Sequence, residues 1–276
     1  MTDQPPVHFF VHVPKCAGRT IELHLEQHIG PRYIHTRRRK APGRWFAPSA
    51  FREPSGVDLA AVRAVSGHPL GASMATRFPG REIRQAVLLR HPVGMMVSFH
   101  NFRMMIFRRE GWPEVSFERF CRSRHVNPAA TFLLSYYFEQ PWSRIVRMTR
   151  QDKFDFISER LDRFWFVGDY RNCDDLIATV SRDLGIPETA DRANVLEKKV
   201  TREADLVPAT VDRLLEENAL DLKLWETWKD RRFATATPAP APVPIPDRRM
   251  ATFAHEIGRM VENQRLQLSH GRHGGT

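Results

Sequence analysis

The stretch of sequence that decides the fold is VHFFVHVPKCAGRTIELHLEQHIG, residues 7–30. Residues 7–13 are rich in β-branched and aromatic side chains, which is typical of a buried strand. Residues 15–20 form a short turn that contains a glycine. Apolar residues then recur at every fourth position from Ile21 to Ile29, and this spacing predicts one face of a helix. The chain therefore opens with a strand, a tight turn and a helix.

Two further segments repeat this order. AVLL at residues 86–89 predicts a strand, and the apolar residues after Pro92 predict a helix that begins at that proline. FWFV at residues 164–167 predicts another strand, and residues 173–184 predict the amphipathic helix that follows it. Other helical segments are expected within residues 129–148, 153–163, 210–218 and 220–228. Short buried strands that alternate with helices indicate an α/β fold with a parallel sheet.

The composition changes near the C-terminus. TPAPAPVPIP at residues 237–246 is typical of a semi-rigid polyproline-type linker, so we expect a folded domain over residues 1–233 and a linker over 234–249. Apolar residues at helical spacing predict an amphipathic C-terminal helix over 250–270, followed by a disordered tail over 271–276. This helix can dock on the domain, pair with a second copy in a homo-oligomer, or bind another partner.

The chain is strongly basic. Lysine and arginine together number 42 against 32 aspartates and glutamates, which gives a net charge of +10. This excess favours anionic partners such as phosphate groups, polyanionic glycans, nucleic acids or acidic membrane surfaces, without choosing among them. The basic run at residues 37–44 is either a patch that binds an acceptor or a solvated loop.

The three cysteines, Cys16, Cys121 and Cys173, bear on the compartment. Their odd number and the lack of a C-x-x-C pair argue against a disulfide framework or a zinc site, and favour a reducing compartment. No apolar run is long enough to predict a transmembrane helix, and the first residues lack the pattern of a signal peptide. We therefore expect a cytoplasmic protein without a membrane span.

The turn at residues 15–20 is a candidate anion site. A turn between a buried strand and a helix leaves backbone N–H groups at the positive end of the helix dipole. Gly18 lets the backbone approach an oxygen closely, while Lys15 adds a charge and Thr20 adds a hydroxyl. The lysine precedes the glycine, so the turn is not a Walker A sequence. A plain strand-to-helix turn is the alternative interpretation.

VHVPKCAGRT resembles the 5′-phosphosulfate-binding loop of sulfotransferases that use PAPS (3′-phosphoadenosine 5′-phosphosulfate), above all their carbohydrate branch. Arg90-His91-Pro92 with Ser98 is similar to the 3′-phosphate-binding segment of that family. Further similar segments are residues 166–170, residues 184–187 and the group Asn194, Lys198 and Lys199. The matches run in the expected order from Val7 to Trp228. This resemblance implies a three-layer P-loop-like fold, with a central parallel sheet flanked by helices, in a soluble, bacterial-like member of the family.

Two positions depart from the family pattern. Cys16 stands where small or hydroxyl residues are common, and tolerance is expected there because the loop acts mainly through backbone N–H groups. His91 stands where the family usually has aspartate. Histidine is a poorer N-cap than aspartate for the helix that begins at Pro92.

The resemblance also implies roles for individual residues. Lys15 would lie beside the bridging oxygen between sulfate and phosphate, where it would act both in catalysis and in donor binding. Backbone N–H groups that would hold the 5′-phosphate belong to Cys16, Ala17, Gly18, Arg19 and Thr20. Arg90 and Ser98 would hold the 3′-phosphate, to which the planar fork of arginine is suited. Asn194, Lys198, Lys199 and Arg202 are expected in a lid over the nucleotide, with a solvated helix face as the alternative, and no metal is implied.

His68 in SGHPLG, residues 66–71, is the candidate catalytic base. Histidine titrates near 6.5, close to working pH. The motif also resembles the segment that carries the histidine base in the uronyl 2-O-sulfotransferase branch. A turn histidine that is exposed or hydrogen-bonded to the backbone is the alternative. His12 is expected to pack behind the loop, and Glu22 is a weaker candidate because carboxylates titrate near 4.3.

These observations predict an enzyme that moves a sulfuryl group from PAPS to a hydroxyl of a carbohydrate or glycoconjugate. An acidic saccharide would suit the basic run at residues 37–44. An ATP-dependent phosphotransferase and a non-enzymatic polyanion-binding protein are the alternatives. No DNA- or RNA-binding motif is recognisable, so no nucleic-acid partner is expected.

Overall fold

A five-stranded sheet lies at the centre of the protein, whose computed structural model describes residues 4–36, 57–190, 199–231 and 233. The strands are β1 (Val7–Val11), β2 (Tyr33–His35), β3 (Ala64–Gly67), β4 (Ile83–Leu89) and β5 (Phe166–Asp169). Their order across the sheet is β2-β3-β1-β4-β5, and every pairing between these strands is parallel.

Helices connect and cover the strands. Within the described ranges they are α1 (Gly18–Ile29), α2 (Pro92–Arg109), α3 (Phe117–Arg122), α4 (Pro128–Phe132), α5 (Trp142–Ile145), α6 (Arg150–Leu161), α7 (Cys173–Leu184), α8 (Pro208–Glu217) and α9 (Ala219–Trp228). A π-helical stretch, Leu133–Tyr137, follows α4 directly. Helix α1 packs against β2 and β3, and helix α9 packs against β5.

The sheet is buried on both of its faces. Every residue of β1 is buried, and successive side chains of a strand point to opposite faces. Strand β4 is buried throughout except at Arg84, which is half-buried. Layers of helices on both faces of a parallel sheet explain this burial. The predicted α/β fold, a P-loop-like central sheet flanked by helices, is confirmed.

The individual elements agree with the prediction to different degrees. The predicted strands at residues 7–13 and 86–89 are present as β1 and β4, and α7 has the predicted bounds. Strand β5 begins at Phe166, where the sequence predicted a start at Phe164. Strands β2 and β3 were not predicted, because three or four residues are too few to show a hydrophobic alternation.

Several predictions concern residues outside the described ranges. They are the linker at 234–249, the C-terminal helix at 250–270 with its possible homo-oligomer, the tail at 271–276, the basic run at 37–44, and Asn194 and Lys198.

Helices α4 and α9 begin side by side and cap each other. The carboxylate of Asp221 in α9 accepts hydrogen bonds from the backbone N–H groups of Ala129 and Ala130, both at 2.8 Å. In return, Oδ1 of Asn127 accepts hydrogen bonds from the N–H groups of Leu220 and Asp221, at 3.0 and 3.1 Å. This reciprocal arrangement satisfies donors that a helix start leaves unpaired, and it fixes α4 beside the cavity described below.

Replacing Asp221 with alanine should lower the free energy of unfolding by about 2–4 kcal/mol, because two buried N–H groups lose their acceptor. Urea denaturation measures this loss. Asp152→Ala is a matched control, since it removes the capping box at the exposed start of α6 and should cost clearly less. Equal losses in the two variants would contradict the capping role of Asp221.

Candidate active site

Two strand-to-helix junctions meet at one edge of the sheet. Strands β1 and β4 are parallel neighbours, with Val11 opposite Val87, so the loops that follow them leave the same carboxyl edge. The chain continues from β1 toward β2 and β3 on one side, and from β4 toward β5 on the other. In α/β proteins, ligands bind in the crevice that opens at such a divergence.

The first junction is a tight loop between β1 and α1. Lys15 and Ala17 have φ angles of 68° and 60°, in the left-handed region that few residues other than glycine adopt. Helix α1 begins directly afterwards at Gly18, so N–H groups of the loop and of the first turn lie at the positive end of the helix dipole. Burial raises the pKa of the Cys16 thiol far above its usual range. Cys16 therefore contributes its backbone to this loop rather than a thiolate.

Gly18 is required for the loop to pack against β1. A Cβ atom at this position would lie 2.0 Å from Cδ2 of His12, which is far inside any normal contact. The start of α1 therefore packs directly on the imidazole of His12. This contact confirms the expectation that His12 is a packed residue beside the loop.

Lys15 extends into the crevice. Its Nζ lies 4.1 Å from the centre of the Phe102 ring, a cation–π contact. Burial, together with the positive charge of Arg90, lowers the pKa of Lys15 to about 8. The side chain is therefore still mostly charged at neutral pH.

The second junction supplies Arg90 at the end of β4. Its Nη1 donates a hydrogen bond to the backbone carbonyl of Lys15, at 3.2 Å, so the two junctions are in direct contact. The guanidinium lies 4.2 Å from the centre of the Tyr170 ring, and Nη2 is 3.9 Å from a carboxylate oxygen of Glu203. Nε of Arg90 is buried and has no hydrogen-bond partner among the described residues, so part of its donor capacity is unsatisfied.

A cavity of about 1310 Å³ opens between the two junctions. Of the residues predicted for the site, those that line it are Lys15, Ala17, Gly18, Arg19, Thr20, His68, Arg90 and Ser98. The side chain of Cys16 is buried below the loop backbone and does not line the cavity. The cavity is large enough for a nucleotide together with a second molecule.

His68 lies at the end of β3, on the other side of β1 from Arg90. Its Nδ1 is 2.8 Å from the backbone carbonyl of His12, and the rings of the two histidines are 4.0 Å apart. A carbonyl oxygen only accepts hydrogen bonds, so Nδ1 carries the proton and the neutral ring has its lone pair on Nε2. The exposed His68 side chain borders the cavity, which suits a group that accepts a proton there.

The carboxylate of Glu22 is the centre of a buried polar network beside the loop. This network was not predicted from the sequence. Its carboxylate accepts hydrogen bonds from Nδ1 of His12, at 2.6 Å, and from Nε2 of His35, at 3.2 Å. Nη1 of Arg19 lies 3.7 Å from its other oxygen. Burial acts to raise the pKa of Glu22, but the hydrogen bonds from the two histidines and their charges outweigh it and hold this pKa well below its ordinary value. Glu22 therefore orients His12, and its lowered pKa makes it a weaker proton acceptor than a free carboxylate. His35 was missed because it belongs to the unpredicted strand β2.

Asn101 in α2 holds the segment that begins at residue 199 through hydrogen bonds. This role was not predicted from the sequence. Oδ1 of Asn101 accepts hydrogen bonds from the N–H groups of Val200 and Thr201, at 2.8 and 3.0 Å, and Nδ2 donates to the carbonyl of Thr201. Glu203 of the same segment then reaches Arg90. The described part of the predicted lid therefore lies beside the second junction. A lone asparagine within a helix gave no signal of this role.

The start of α2 bears out the doubt about His91. This residue makes no side-chain hydrogen bond to the first turn of the helix, and its ring packs instead against Trp225, at 4.8 Å. Nε1 of Trp225 donates to Asp169 at the end of β5, at 2.5 Å. The second junction is thus held by packing rather than by a side-chain cap.

Two searches of the described ranges bear on the class of site. They contain no group of three or more histidine, cysteine, aspartate or glutamate side chains placed to hold a metal ion. Among the helices of the same ranges, none has the length and apolar character needed to cross a bilayer.

The chain matches no protein-family model and no curated protein. Among solved structures, it is similar to a sulfotransferase from Alicyclobacillus acidocaldarius, with 17% sequence identity and a TM-score of 0.42. The similarity covers 80% of this chain and 94% of the other. A similarity this distant does not establish the function of the chain.

Replacing Glu22 with glutamine should destabilise the protein by about 2 kcal/mol at pH 6.5, because a buried charge-assisted network loses its acceptor charge. The pKa of Glu22 is lower in the folded chain than in the unfolded chain. Its contribution is therefore present above about pH 4.5 and is lost as the pH falls below that value. The difference between wild type and variant in urea denaturation should shrink accordingly at pH 4. Glu26→Gln, on the exposed face of the same helix, serves as the control and should show neither effect.

Proposed function

We propose that this protein is a PAPS-dependent sulfotransferase that transfers a sulfuryl group to a hydroxyl of a carbohydrate or glycoconjugate. The observation that carries the proposal is the contact between Lys15 and Arg90 at two adjacent strand-to-helix junctions, in one cavity with His68. A donor that carries phosphate at both its 3′ and 5′ positions needs two cationic sites, and each of the two junctions offers one. ATP has no 3′-phosphate for the second one.

The residues present fit this donor. The left-handed loop and the start of α1 present backbone N–H groups for the 5′-phosphate, and Gly18 keeps the surface there free of a side chain. Arg90, with an unsatisfied donor, and Ser98 would hold the 3′-phosphate. PAPS supplies the activated sulfuryl group when it is bound.

Two side chains would each have one role in the transfer step. As the S–O bond to the 5′-phosphate breaks and the bond from sulfur to the acceptor oxygen forms, Lys15 neutralises the charge that develops on the departing phosphate. The proton of the acceptor hydroxyl goes to Nε2 of His68. The carbonyl of His12 holds the tautomer required for this, and Glu22 holds His12 in place.

The two alternative functions account for the site less well. A kinase would need acidic side chains to hold Mg²⁺ beside ATP, but the acidic residues that line the described cavity are Glu22 and Asp174, and Glu22 is already bonded to two histidines. A polyanion-binding protein would need its cations on an open surface. Lys15 and Arg90 are instead recessed in the crevice, with side chains packed on aromatic rings.

Lys15→Ala and His68→Ala should each abolish sulfuryl transfer, but only Lys15→Ala should also weaken binding of the product nucleotide PAP (3′-phosphoadenosine 5′-phosphate). Transfer from labelled PAPS and calorimetry with PAP measure the two effects. Turnover of His68→Ala within twofold of wild type would remove His68 from the role of base. Binding of ATP that is tighter than binding of PAP would favour a phosphotransferase instead.

The affinity for PAP should fall as the pH rises through the pKa of Lys15, which is about 8. The charged lysine attracts the phosphate and the neutral one does not, so the loss between pH 7 and pH 9 should approach about tenfold. Calorimetry over this range measures it. In Lys15→Ala the affinity should be lower at pH 7 and should lack this decline; a wild-type affinity that is flat up to pH 9 would exclude contact between Lys15 and the nucleotide.

A further inference from the structure

Several exposed apolar side chains line the cavity that contains the proposed donor site. Nine large apolar residues in the described ranges are between 37% and 59% exposed. Four of them line this one cavity: Phe102, Val126, Trp142 and Val146. Scattered exposed apolar residues need no explanation, but a cluster in a concave site marks a surface that binds an apolar group.

The apolar wall starts at the two residues assigned to the transfer step. The ring of Phe102 lies beside Nζ of Lys15, at 4.1 Å, and the ring of Phe132 lies edge-on to His68, at 6.0 Å between ring centres. Tyr136 stacks on Phe132 with 5.2 Å between ring centres and 18° between the ring planes. Both Phe132 and Tyr136 also line the cavity.

The position of the acceptor hydroxyl follows from these contacts. It must reach Nε2 of His68 and the sulfuryl group beside Lys15 at the same time. The atoms bonded to that hydroxyl would then lie near the rings of Phe102 and Phe132. Trp142 and Val146 line the same cavity and offer apolar surface to the rest of the acceptor.

Cations line the cavity together with the apolar side chains. Arg124 lines the same region, but its guanidinium lies 4.2 Å from the centre of the Phe99 ring and 5.5 Å from that of Phe120, so it is itself packed on aromatic surface. Arg103 and Lys153 also line the cavity and are the groups that an acidic saccharide would use. The competing acceptor is therefore an acidic saccharide.

We infer that the acceptor carries an apolar body, an alkyl or aryl group attached to the hydroxyl-bearing ring, as in an alkyl or aryl glycoside. This inference rests on the proposed function, because the acceptor is placed by Lys15 and His68. It narrows the acceptor to an amphipathic molecule whose apolar part binds the wall formed by Phe102, Val126, Trp142 and Val146.

The test compares three glucosides that differ only in the group on the anomeric oxygen: methyl, phenyl and octyl β-glucoside, the last below its micelle concentration. Calorimetry in the presence of PAP measures their binding without turnover. A disaccharide that contains glucuronic acid represents the acidic alternative. We expect the phenyl and octyl glucosides to bind at least about tenfold more tightly than the methyl glucoside, because only they bury apolar surface on the wall.

Trp142→Ala should reduce this preference to less than about threefold, because the wall loses its largest exposed ring. Trp112→Ala is the matched control: Trp112 is 41% exposed against 39% for Trp142, but it does not line the cavity, and the preference should persist. Thermal unfolding shows whether each variant is folded. If Trp142→Ala does not fold, Val146→Ser serves in its place, with Val207→Ser as its control.

Three results would overturn the inference: equal binding of the three glucosides, tighter binding of the acidic disaccharide than of octyl glucoside, or an equal loss of preference in Trp142→Ala and Trp112→Ala. Titration of octyl glucoside without PAP separates the two proposals. If PAP does not bind but octyl glucoside still does, and only Trp142→Ala weakens it, the proposed function is rejected and the apolar site is supported.

Discussion

The parallel pairing of β1 with β4 is the constraint on which the site depends. It brings the carboxyl ends of two strands side by side, although the loops that follow them are separated by about seventy residues of chain, and the helices they lead into diverge. The hydrogen bond from Arg90 to the carbonyl of Lys15 then joins the two loops directly. Each junction alone would be an ordinary anion site at the start of a helix. Under the proposed function, the two together would bind a ligand that carries two phosphate groups.

This arrangement places two cations close together in a partly buried crevice. The loss of water on burial, and to a smaller extent their repulsion, lowers the pKa of Lys15 to about 8, so the charged form is less stable there than in solution. The rings of Phe102 and Tyr170 replace part of the lost hydration through cation–π contacts. An anion that enters the crevice relieves the repulsion, and the site therefore gains more from a phosphate than isolated surface lysines would. Recessed, packed cations of this kind are better suited to a defined nucleotide than to an extended polyanion.

The sequence predicted those parts of the site that lie within one strand-turn-helix unit. The loop at residues 15–20 was predicted in this way, because strand, turn and helix signals coincide there, whereas Arg90 and Ser98 were predicted from the resemblance to the sulfotransferase family. The structure brings all of them to one cavity. His35 and the network of Glu22 were not found, since they depend on strand β2, whose three residues are buried by neighbours distant in sequence rather than by their own pattern. Asn101 was missed for a similar reason: its partners lie about a hundred residues away. The same holds for the apolar wall, whose residues lie in α2, in the loop before α4, and at the start and just past the end of α5.

The net charge of +10 favours anionic ligands, whereas the apolar wall favours an apolar group. The two observations are compatible if they concern different parts of the cavity. Composition reports how many cations a chain has, but not which of them face a ligand. In the cavity, the cations of the two junctions are the groups that would hold the phosphates of the proposed donor. The rings of Phe102 and Phe132 lie beside Lys15 and His68, where the acceptor would bind. A basic sequence therefore need not have an acidic acceptor, because under the proposed function the cations of the two junctions serve the donor, and the apolar side chains of the cavity would select the acceptor.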